Sequence, residues 1–65
     1  MLAKIGIEHF AYKHIPNEEL QAFSKNFHDL AEKLIAEVPD GRSKEISLEK
    51  LLEAKDAAVR ARAVG

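Results

Sequence analysis

The residues with the widest chemical repertoire are the histidines His9, His14 and His28, in a chain that has no cysteine. Metal ligation asks for closely spaced His or Cys donors. His9 and His14 lie five apart in a segment read as non-helical, and the sequence contains no helical His-x3-His pair, so no metal site is expected. The serines Ser24, Ser43 and Ser47 fall where a helix surface or a helix cap explains them. None comes with the base and orienting group that nucleophilic catalysis requires. No catalytic residue, cofactor or enzymatic activity is therefore expected. Glu45, Glu49 and Glu53 recur at four-residue spacing and read as a solvated helix face, and Asp56 with Arg60 as a surface pair worth only tenths of a kcal/mol.

Two short stretches carry binding chemistry instead. In Gly41-Arg42-Ser43-Lys44, at the mouth of a helix, free backbone N–H groups, a hydroxyl and two cations converge, which is the make-up of an anion site. The same residues also make a hinge loop with a cap and solvated charges. Tyr12, flanked by Lys13 and His14, offers a ring that can stack on a nucleobase or serve as a buried staple. Both readings stand for each stretch on pattern alone.

The elements that must hold these residues follow from sparse punctuation, since Gly6, Pro16, Pro39, Gly41 and Gly65 are the only glycines and prolines. Residues 1–16 read as an arm. Met1, Leu2, Ile5 and Ile7 suit a short strand or helical turn, and His9 to Pro16 an extended run, because Pro16 disfavours a helical Ile15. The first helix is expected over 17–38, with Asn17 as N-cap and Glu18 and Glu19 facing the positive end of the dipole. Leu20, Phe23, Phe27, Leu30 and Leu34 form a heptad-like seam that Ala31, Ile35 and Val38 widen. A turn at 39–42 leads to a second helix over 43–63, with Ser43 as cap and Ser47 as a competing start. Its apolar residues are Ile46, Leu48, Leu51, Leu52 and Val59, beside a set of alanines at 54, 57, 58, 61 and 63, small enough to let another helix approach or simply good helix formers.

The expected fold is all-α, an antiparallel two-helix hairpin with an N-terminal arm or short helix, packed into a homo-oligomer. Size drives the last step. A domain of 65 residues hides only roughly 60% of its unfolded surface, and without disulfides its core supplies about 3–5 kcal/mol, so association is the remaining staple. A formal net charge of -1 argues against a duplex-binding module. No apolar run reaches the ~20 residues of a membrane span, and the start lacks the pattern of a secretory signal. The cytoplasm is the expected compartment.

From Phe10 to Arg62 the order of residues resembles the phage anti-CBASS cyclic-oligonucleotide sponges, whose relatives also counter Thoeris signalling. The resemblance runs through Phe10, Tyr12, Lys13 and Pro16, then Leu30-Ala31-Glu32 and Ile35, then Pro39, Arg42, Lys44, Leu48, Lys50, Leu51, Glu53 and Ala54. Ala57 stands where the family carries a tryptophan, Val59 where an Asn is common, and Glu45 where a Ser often stands. The resemblance implies a helical protomer assembled as a hexamer from dimers, in the cytoplasm of an infected bacterium. It implies binding of cyclic dinucleotides, in some members also cyclic trinucleotides at a separate site, without cleavage. By the same resemblance Tyr12 stacks on a base in a pocket shared by two protomers. A first-helix lysine, placed at Lys25, supports the ring or a phosphate, and Arg42, Lys44 and Arg62 supply phosphate or base contacts. The other readings are a helical adaptor that binds another protein, and a single-strand nucleic-acid binder using Tyr12, Lys13, Lys44, Arg60 and Arg62.

Overall fold

The computed structural model describes residues 5–64; Met1 and Leu2, assigned above to a strand or turn, lie outside them. Two helices, α1 (Glu18–Glu37) and α2 (Arg42–Val64), pack antiparallel as a hairpin, preceded by a single 3-10 turn at Ile7–Phe10. At ~1.5 Å per residue the helices account for the 34 Å long axis of a body 20 by 14 Å in section. Among the described residues no helix is long and apolar enough to cross a membrane.

Each end of α1 is set by its proline. Asn17, extended after Pro16, accepts from the Leu20 N–H at 3.0 Å through Oδ1, and Glu18 and Glu19 fill the first turn. At the other end Val38 is held extended (φ -97°, ψ 131°), as the residue before Pro39 must be, while its N–H donates to the Leu34 carbonyl. Gly41 then takes φ +152°, a conformation that L side chains rarely adopt.

The start of α2 differs from expectation. The Glu45 N–H donates to the Gly41 carbonyl at 3.2 Å, so the helix opens at Arg42 and Ser43 lies within the first turn, past the capping position. Gly41, expected in the turn, thus also stands at the position before the helix that Ser43 was expected to hold. Ser47 starts no helix either; its hydroxyl donates back to the Lys44 carbonyl at 2.7 Å. The arm is also less extended than read, because His9 and Phe10 belong to the 3-10 turn.

The core centres on Phe10, Ala31 and Leu48, with Ile5, Ile7, Phe27, Leu34, Leu51 and Leu52 packed around it. Phe10, from the turn, fills the space that the small Ala31 leaves between the helices. Burying such a ring contributes roughly 1.5–3 kcal/mol. The α1 seam is not buried throughout: Leu30 is 48% and Ile35 36% exposed. The alanines at 54, 57, 61 and 63 are also exposed, so within one chain no helix lies against them.

Ser24 is fully buried and its Oγ has no hydrogen-bond partner. A buried unpaired hydroxyl costs about 1–3 kcal/mol. Ser24→Ala is therefore expected to raise stability by about 1 kcal/mol, whereas Phe10→Ala should cost about 3–5 kcal/mol. Denaturant melts followed by circular dichroism check both, and a Ser24→Ala variant less stable than the parent would refute the first.

Candidate ligand site at Tyr12

Tyr12 follows the 3-10 turn in a loop that closes through the Ile15 N–H on the Tyr12 carbonyl at 3.1 Å. That loop is pinned to α1 by Gln21, whose Nε2 donates to the carbonyls of Lys13 at 3.1 Å and Ile15 at 3.2 Å. The turn before it is tied to α2 by Lys55 Nζ on the His9 carbonyl at 3.2 Å. Three elements thus fix where the tyrosine stands.

The half-buried Tyr12 ring meets His28 edge-on, with centroids 5.0 Å apart and planes at 67°. The Lys25 ammonium lies 6.0 Å from the ring centroid. One turn further along α1, Asp29 binds Lys25 Nζ at 2.8 Å. His28 Nδ1 lies 3.5 Å from both Asp29 Oδ1 and Glu32 Oε1. Helical spacing brings Lys25, His28, Asp29 and Glu32 onto one face, and Tyr12 crosses it. Beside this face is an open cavity of about 500 Å³ lined by Tyr12, Lys13, His14 and His28 together with Glu8.

The expected site residues are divided between three places. Tyr12, Lys13 and Lys25 come together. Arg42, Ser43 and Lys44 stand at the hairpin turn, Arg42 and Ser43 exposed on the first turn of α2. Lys44 is committed there, its Nζ donating to the Ile35 carbonyl at 2.7 Å and to Asp40 Oδ1 at 3.0 Å. It ties off a carbonyl of the last turn of α1, which removes it from the anion site read from sequence. Arg62 lies over the Phe23 ring at 4.9 Å. A larger cavity of about 570 Å³ near the turn has an apolar floor of Ile5, Ile7, Ile35 and Leu48 and a rim of Glu32, Asp40, Glu45 and Lys44. Its carboxylates make it a poor seat for phosphate.

Sequence reasoning missed His28 as part of the site. It also counted metal donors only as His and Cys pairs, whereas His28, Asp29 and Glu32 place one ligand atom each within 4.8 Å of one another, a set able to hold a divalent cation. The i, i+1, i+4 pattern was the available signal. No family model matches the chain, and neither a curated protein nor a solved structure does.

The Lys25–Asp29 pair is half-exposed and screened by salt. Its hydrogen bond, then its charge, raise the Lys25 ammonium above its ordinary range. The same hydrogen bond, foremost, holds the Asp29 carboxyl below its own. A depressed carboxylate contributes stability that is present above its unfolded pKa, about 3.9, and is lost as pH falls through the lower folded value. Carbon-detected NMR should find Asp29 titrating below ordinary aspartates, and Asp29→Asn should bring Lys25 down toward its usual value. An Asp29 midpoint at or above the usual carboxylate range would contradict the pairing.

Proposed function

We propose that this protein binds and sequesters cyclic nucleotide immune messengers without cleaving them, so that host antiphage effectors receive no signal. The observation that carries this reading is the juxtaposition of a half-exposed tyrosine ring, the Lys25 ammonium 6.0 Å away and an open cavity that the tyrosine lines with Lys13, His14 and His28. A cyclic dinucleotide presents two aromatic bases and two phosphates. Stacking on an aromatic face contributes about 1–3 kcal/mol per base, and one or two cations answer the phosphates, so a chain of net charge -1 needs no basic surface. The resemblance from Phe10 to Arg62 supports the same reading, which carries the cytoplasm of an infected bacterium with it.

The cavity is open, and a pocket shared with a second copy is the proposed means of closing it. We place the protein in a homo-oligomer, a hexamer by resemblance, in which exposed Leu30, Ile35 and the alanines of α2 are covered. Arg42 and Arg62 would then serve at contacts between protomers or at a second, cyclic trinucleotide site. The exposed Leu30 and Ile35 also favour a second reading, an adaptor whose only ligand is another protein.

Native mass spectrometry with a panel of cyclic di- and trinucleotides, together with thermal melts, separates the two. A sponge retains intact ligand and gains about 2.7 kcal/mol of stability at a hundredfold excess over Kd. Tyr12→Ala should lose most of that gain while keeping its oligomeric state. An oligomer that retains none of the panel leaves the adaptor reading, and a monomer at micromolar concentration defeats the assembly.

A further inference from the structure

Gln21 fixes the backbone around Tyr12 through the carbonyls of Lys13 and Ile15, but that leaves the side-chain torsions of the tyrosine free. Two groups reach the ring. Lys25 is half-exposed, its ammonium is bound to Asp29, and it sits at 6.0 Å, the outer edge of a cation–π contact. His28 is different. Its side chain is 22% exposed, it meets the tyrosine edge-on at 5.0 Å, and its Nδ1 lies between two carboxylates at 3.5 Å each. An imidazole held by Asp29 and Glu32 on one side and by an aromatic ring on another has few orientations left.

We propose that His28 is the positioning residue that holds the Tyr12 ring at the angle in which it can stack on a base. The part of this concerning ring orientation stands on its own; the part concerning ligand rests on the nucleotide-binding reading above. Asp29 and Glu32 hold the imidazole from its Nδ1 side. Other ionisable groups surround it: Lys25, Asp29 and Glu32 on α1, and Glu8, Lys13 and His14 from the N-terminal segment that lines the same cavity. Among the described residues, none of α2 lines it.

The chain itself supplies the probe, since Tyr12 is its only tyrosine and it has no tryptophan. Its near-ultraviolet circular dichroism band therefore reports how firmly one ring is held. In the full chain at constant pH that band is expected to persist in His14→Gln and to weaken in His28→Gln. Binding is measured in parallel with cyclic di-GMP, cyclic di-AMP and cyclic GMP–AMP. There His28→Ala should weaken affinity about fivefold to tenfold, as loss of an edge-on aromatic contact does, and His28→Phe, which keeps a ring edge without a charge, should restore it. Circular dichroism melts confirm that the variants are folded, with His28→Gln as the milder replacement. A tyrosine band unchanged in His28→Gln, or a His28→Ala protein that binds as the parent does, overturns the proposal. If the band weakens in His28→Gln but the parent retains none of the three dinucleotides, the orienting role stands and the nucleotide reading falls.

Discussion

Phe10 reaches into the gap between two helices at the point where α1 carries only the methyl of Ala31 and α2 carries Leu48, and all three are buried. A larger residue at position 31 would close that gap, and a smaller one at position 10 would leave a void that close-packed interiors do not tolerate. The contact does more than fill space. By drawing the 3-10 turn onto the hairpin it fixes the start of the segment that bears Tyr12, and Gln21 and Lys55 then need only short reaches to finish the attachment. The site thus inherits its geometry from a single aromatic anchor two residues before the tyrosine.

Charge is distributed by the same economy. Lys44 and Lys55, the two lysines whose side chains are 12% exposed, are spent on main-chain carbonyls of other elements. A long, partly covered ammonium bound to a carbonyl is a structural tie, and it is poorly placed to answer a phosphate. The cations left for a ligand near Tyr12 are Lys13, exposed on the loop, and Lys25, which is shared with Asp29. Asp29 therefore belongs to the electrostatics of the site as much as Lys25 does. A phosphate arriving there would have to compete with that carboxylate for the ammonium.

Much of the architecture was legible because its causes are local. Pro16-Asn17 and Val38-Pro39 act through torsions and caps within a few residues, and the apolar periodicity of α1 and α2 reports the faces that meet. Ser43 misled because a hydroxyl near a helix start is a frequent cap; only the torsion of Gly41 decides that the helix opens one residue earlier. The tertiary ties were hidden for a different reason. Gln21 to Lys13 and Lys55 to His9 are bonds to carbonyls, which carry no residue-type signature, and Lys44 looks in sequence like any cation at a loop. Tyr12 was singled out as a ring flanked by Lys13 and His14, and Lys25 by resemblance to a family, while the edge-on meeting of His28 with Tyr12 depends on how the arm crosses α1, which no local pattern encodes.

What the fold leaves undone points outward. The apolar surface left uncovered includes Leu30, Ile35 and the alanines at 54, 57, 61 and 63 of α2. Covering it with a second copy would supply apolar burial that a core of three buried hydrophobic residues lacks, at no cost in new sequence. It would also change the site. A cavity open to water would give a stacked base one face; the same cavity walled by a neighbour would exclude water, strengthen a charge contact made within it and offer the second face of the base a surface to meet. Stability and recognition would then depend on the same event, the route by which a chain too short to enclose a ligand alone could hold one.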